Sequence, residues 1–191
     1  MKISDKREEI MQATLAIIAE QGFHASPMDE IAEKAGVAAG TIYRYFENKD
    51  VLINEVHRKL EEKINATLRE GYPAGSPIRE RFFFLITELL RYFIEHPLHF
   101  RYLEQYFNSP FGISLHRERL LGKSGDQGIV MDIFEQGIEQ QVLKALPKSA
   151  LFSLAFGPLI ILTRDHIFGF VSLDDRLIEH IAGACWDAIK R

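Results

Sequence analysis

The chemistry available to this chain is concentrated between Met28 and Phe46, in the run Met-Asp-Glu-Ile-Ala-Glu-Lys-Ala-Gly-Val-Ala-Ala-Gly-Thr-Ile-Tyr-Arg-Tyr-Phe. Two short helices that meet at a steep angle need a small residue where their backbones approach, a residue that tolerates positive φ in the turn, and apolar side chains that close the inner faces. Ala32, Gly36 and the set Ile31, Val37 and Ile42 supply these. The spacing predicts a helix-turn-helix. In that geometry the second helix enters a DNA major groove by its N-terminal end, where unpaired N–H groups also favour phosphate.

The remaining reactive side chains form no comparable pattern. His96 and His99, with Glu95, Glu104 and His116 nearby in sequence, are metal-binding types, but Pro97 interrupts the helix between the two histidines. A capping or pocket-lining role is expected there, and no metal. Cys185 is the single cysteine, so neither an internal disulfide nor a thiolate cage can form, and a small buried residue is expected. The chain contains no P-loop, dinucleotide fingerprint, nucleophile elbow or HExxH run, which points away from an enzyme and calls for no cofactor.

The elements that must position the motif can be traced from hydrophobic spacing. Ile10, Met11, Leu15, Ile17 and Ile18 recur at helical intervals from Asp5 to Glu20, and Gly22 stops that helix. Ser26 before Pro27, with Asp29 three residues on, predicts a serine N-cap and a proline at the first helical position. A third short helix is expected from about Ala38 to Tyr45. Asn48 can cap a long fourth helix reaching about Glu70, with Val51, Leu52, Val56, Leu60 and Ile64 on one side. Gly71-Tyr-Pro-Ala-Gly-Ser-Pro77 is the clearest turn-rich seam. Beyond it, helices are expected over Ile78–Glu95, Leu98–Phe107, Ile129–Leu146, Ser149–Phe168 and Asp174–Lys190. The stretch from Asn108 to Asp126, with Pro110, Gly112, Gly122 and Gly125, suggests a loop with a helical turn or more. The fold class is therefore all-α.

Of 191 residues, 47% are hydrophobic, enough for a real core, and no run approaches the roughly 18 uninterrupted apolar residues of a membrane span. The charged start from Met1 to Glu9 does not look like a secretory signal, so a cytoplasmic protein without a membrane partner is expected. The formal net charge of −4 opposes a simple nucleic-acid assignment, because phosphate binding normally shows as a basic surface. Placement must then do what net charge does not. Lys2, Lys6, Arg7, Arg44 and Lys49 flank the motif, and the acidic side chains Glu8, Glu9, Glu20 and Glu33 could face away.

The run Ile31-Ala32, Ala35-Gly36-Val37, Gly40-Thr41, Tyr43, Tyr45-Phe46, Lys49 and Leu52 resembles the DNA-binding domain of the TetR family of repressors, over roughly residues 5 to 55. The resemblance implies that Thr41, Tyr43, Tyr45 and Lys49 hold phosphates and that Ala39, Gly40 and Arg44 face the groove, with Ser26 and Ala38 also at the interface. Family members often carry serine at the position of Ala38 and a polar or basic residue at that of Ala39. With alanine at both, base reading leans on Arg44 and on apolar contact with thymine methyls. The resemblance further implies a DNA-binding domain over residues 1–50 and an effector-binding and dimerisation domain over 51–191, joined by the helix of about 48–70. Partners would be double-stranded DNA with an inverted-repeat operator and an unidentified small molecule.

Twelve of the fourteen phenylalanines follow the seam, which suits an apolar or aromatic effector. Phe83, Phe93, Phe100, Tyr106, Phe107 and Phe134 are candidates for its pocket, with His166 as a polar group. The helix from Ser149 is apolar nearly all round, at Leu151, Phe152, Leu154, Phe156, Leu159, Ile160 and Ile161, and demands cover on more than one side. Together with the last helix it is expected to form a four-helix homodimer interface.

Overall fold

A computed structural model of the chain describes residues 3–23, 26–120 and 128–191, with side chains described from residue 6 onward and omitted for residues 116–120. Lys2 and the His116 side chain lie outside the described residues. Ten helices are described: α1 (Ile3–Gln21), α2 (Met28–Lys34), α3 (Ala39–Ile42), α4 (Lys49–Arg69), α5 (Ile78–Glu95), α6 (Pro97–Phe107), α7 (Pro110–Leu120), α8 (Gly128–Glu139), α9 (Lys148–Ile167) and α10 (Asp175–Ile189). No strand occurs among the described residues, only an isolated bridge between Leu143 and Lys190.

The chain divides by packing into two units, Met1–Lys63 with His96–Lys123, and Ile64–Glu95 with Ser124–Arg191. This division falls inside α4 rather than near residue 50, and it assigns α6 and α7 to the first unit. There α1 packs along α6, and α6 along α7. Ile10, Ile17, Ile18, Ile31, Ile42, Phe46, Leu52 and Ile53 form the interior, and the buried Tyr102 donates its hydroxyl to the Ile53 carbonyl at 2.9 Å. In the second unit α5, α9 and α10 pack together, with Phe82 against Trp186 and α8 alongside α5. Cys185 is buried there, and burial pushes its thiol up to about 11.

Several helix ends differ from expectation for identifiable reasons. The stretch after Asn108 holds an eleven-residue helix, α7. Pro110 opens that helix instead of breaking it, since a proline at the first helical position loses no bond. Gly112 fits because a Cβ there would lie 2.4 Å from the Tyr106 carbonyl oxygen and 2.5 Å from the Phe107 Cα. Helix α8 ends at Glu139, well before Leu146. Gln141 adopts φ 58°, and the Val142 and Gln141 N–H groups turn back to the carbonyls of Gly137 and Ile138. Glycine usually occupies that position, so the stop carried no glycine signal. Helix α9 runs unbroken through Pro158.

Candidate nucleic-acid interface

The turn between α2 and α3 forms as its residue types dictate. Gly36 takes φ 63°, Val37 N–H reaches the Ala32 carbonyl at 2.9 Å, and Gly36 N–H reaches that of Glu33 at 3.0 Å. This doubly bonded turn closes α2 and lets α3 start two residues later. Ile31, Ile42 and Phe46 seal the underside. Helix α3 itself spans only Ala39–Ile42, shorter than the Ala38–Tyr45 expected, and the chain continues to Tyr45 through tight turns.

The candidate contact residues separate by exposure. Ala38, Gly40, Tyr43 and Arg44 are exposed, and Ala39, Thr41 and Tyr45 are half-buried, so this stretch presents one end of α3 and its flank outward. Ala38 precedes the helix in extended conformation and provides no side-chain cap, which leaves the first N–H groups for an outside acceptor. Arg44 makes no ion pair with Glu47 or Asp50 among the described residues.

Two candidates sit differently. Ser26 is buried, and its hydroxyl donates to the Phe23 carbonyl at 2.7 Å instead of capping α2; Pro27 occupies the N-cap position. Lys49 donates its ammonium to the same carbonyl at 3.1 Å, and burial lowers its pKa while Asp50 opposes the shift. That carbonyl accounts for a cation at the unfavourable end of α4. Asn48 does cap α4, accepting the Val51 N–H at 2.9 Å.

Nor are Lys6 and Arg7 unpaired cations. Lys6 bonds Glu9 at 2.9 Å, whereas Arg7 reaches Glu55 at 2.5 Å and lays its guanidinium 5.1 Å from the centre of the Phe46 ring. Glu55 also accepts from Arg58 at 2.6 Å, and the bonds from Arg58 and then Arg7 pull its carboxyl down to about 2. The Glu55–Arg58 spacing is a legible helical pair. Its link to Arg7, 48 residues earlier, is not.

The aromatic candidates do not gather in one unit. Phe100, Tyr106 and Phe107 belong to the first, where Tyr106 meets the His57 ring edge-on and donates to Asn54 at 3.1 Å. Phe83, Phe93, Phe134 and His166 belong to the second. Phe134 is buried against Phe156, Phe83 lies under the Arg79 guanidinium, and His166 Nδ1 accepts the Leu173 N–H at 3.3 Å in the turn before α10. A cavity of about 320 Å³ lies in the first unit, bordered by Phe23, Lys49, Ile53 and Phe111. His96 precedes α6, and its ring lies 5.0 Å from that of His99. Burial, then Lys63 and His96, push His99 down to about 4.

A short, uncapped second helix after a tight glycine turn, its apolar side closed by Ile31, Ile42 and Phe46, followed by a long helix and a larger helical unit, defines a helix-turn-helix DNA-binding protein. Residues 10–56 match the family described as bacterial regulatory proteins, tetR family, and residues 77–190 match the tetracyclin repressor-like C-terminal domain. The chain belongs to the TetR family of transcriptional regulators. An HTH-type transcriptional regulator of Haemophilus influenzae is 27% identical over 98% of this chain and 97% of its own length. The structure of a TetR family protein from Vibrio parahaemolyticus is 32% identical, covering 97% of this chain and 99% of its own, with a TM-score of 0.77. That of a TetR family transcription regulator from Marinobacter aquaeolei is 25% identical, covering 98% and 96%, with a TM-score of 0.84. The protein is thus a DNA-binding transcriptional regulator and not an enzyme.

Proposed function

We propose that the chain is a cytoplasmic, homodimeric repressor that holds an inverted-repeat operator and is released by a small, mostly apolar effector bound in its C-terminal part. The observation that carries the dimer is α9. Phe152, Leu154, Ile160 and Ile161 of that helix are each at least 40% exposed in the single chain, although α9 already packs on α5, α8 and α10. By length and composition α9 could also cross a membrane. Arg164, Asp165 and His166 in its last turns, and its packing against α10, favour a second copy as the cover. Two identical recognition helices related by a two-fold axis require inverted half-sites in successive major grooves.

Support for the effector is the concentration of phenylalanines after the seam, together with α4, which leads directly from the motif toward the larger part. A ligand acts only through different affinities for two states, and coupling of about 1–3 kcal/mol is ordinary. Compounds that raise the melting temperature should be tested by calorimetry with and without the DNA upstream of the protein's own gene. An effector binds several-fold more weakly when that DNA is present. Equal affinities for every such compound would contradict release by a ligand.

A further inference from the structure

We infer that Arg81, Tyr72 and Gln136 form a carboxylate-binding site at the start of α5, and that the effector is an organic carboxylate with an apolar body. This rests on the effector reading above and specifies its chemistry. Arg81 is 6% exposed, yet its partners are neutral: Nε donates to the Tyr72 hydroxyl at 2.8 Å, and Nη1 to the Gln136 side-chain oxygen at 2.6 Å. The Tyr72 ring centre lies 5.6 Å from the guanidinium. No carboxylate stands within ion-pair distance of Arg81 among the described residues. A guanidinium taken out of water is costly unless an anion accompanies it. The chain supplies such partners to three more exposed arginines, giving Glu55 to Arg7 and Arg58, and Glu88 and Asp175 to Arg91, while the exposed Arg44 is left to solvent. It withholds one from the buried Arg81.

The donors left over point to the same conclusion. Among the described residues, Arg81 Nη2, the Gln136 amide nitrogen and the Tyr72 hydroxyl proton have no protein acceptor, the two nitrogens being open to solvent and so to a ligand, while the acceptor atoms of Gln136 and Tyr72 are already engaged by Arg81. A group that only accepts hydrogen bonds can use all three. The Arg81 side chain runs back past the first turn of α5 to reach Tyr72, so it lies near the positive end of an 18-residue helix, which also favours an anion. One guanidinium balances a single negative charge and matches the two oxygens of a carboxylate. Phe84 stands edge-on to Tyr72 at 5.9 Å and provides apolar surface beside it.

Calorimetry on the full chain with octanoate and octanamide, which share a tail, tests the site. Octanoate binds at least about tenfold more tightly, the effect of one charge-assisted bond. The isosteric Gln136→Glu supplies an internal carboxylate next to Nη1, so this variant melts no lower than the parent and loses the preference for octanoate. Absence of octanoate binding, equal affinities for the two probes, or a preference that survives in Gln136→Glu overturns the inference. Octanoate that binds in this manner without weakening operator affinity leaves the site standing and refutes release by the ligand. A neutral compound that releases the operator while octanoate shows no preference does the reverse.

Discussion

Arg7 holds Glu55 and lies against the Phe46 ring, whereas Arg44 is exposed and outside any ion pair among the described residues. Their replacements should differ accordingly. Arg44→Ala should cost about 1–3 kcal/mol of operator affinity and relax preference at one or two base positions, read by anisotropy on a panel of single-base variants. An unchanged preference would take Arg44 out of the groove. Arg7→Ala should weaken binding by loosening the recognition unit, yet leave the slope of log affinity against log salt unaltered, because no phosphate contact is lost. Glu55→Gln tests the same cluster through pH. The Glu55 carboxyl falls from 4.5 to about 2 on folding, so its stabilising contribution is complete above about pH 4.5 and is lost as pH falls toward 2. The variant should be less stable than the parent by about 1 kcal/mol at neutral pH, since such pairs near the surface contribute little, and the difference should close in acid. Residue types announced Ile31, Ile42 and Phe46 as the motif's interior, whereas Val37, expected beside them, is half-buried. They could not announce that Lys49 and Ser26 share the Phe23 carbonyl, since that depends on how the turn after α1 folds back on the start of α4.

At the scale of elements, helix ends decide where the chain turns, and they were readable in proportion to how local their causes are. Asn48 caps α4 through its own side chain, as its position before the helix suggested. Asn48→Ala should lower stability by about 1 kcal/mol in urea unfolding. Where α7 lies the sequence suggests only a loop with a helical turn or more, because Pro110 and Gly112 resemble breakers, although one opens the helix and the other permits α7 to lie against the end of α6. Gly112→Ala should therefore cost about 1–3 kcal/mol through overpacking, far beyond an ordinary exposed glycine-to-alanine change within a helix. A neutral or stabilising effect would show that α6 and α7 do not meet there. The early end of α8 rests on Gln141 in a left-handed conformation and on Leu143 pairing with Lys190, a partner 47 residues away that no window of sequence reveals.

For the whole molecule, the apolar face of α9 carries the largest functional consequence. Ile161→Asp places a charge on a residue 49% exposed in the single chain, so it should leave helical content intact while shifting sedimentation from dimer to monomer and abolishing tight operator binding. A monomer that still bound tightly would separate dimerisation from function. The order of helices was legible from spacing, but the division into units was not: the seam from Gly71 to Pro77 lies inside the second unit, and α6 and α7 pack on the first through side chains brought together from distant segments. Selection of duplexes from a randomised pool by the full-length protein tests the function most directly. Recovered sequences should contain two inverted half-sites with centres about 10 base pairs apart or a multiple of that spacing, and Arg44→Ala should degrade the consensus at symmetric positions. Enrichment of single or directly repeated half-sites, or no enrichment at all, would contradict a symmetric helix-turn-helix repressor.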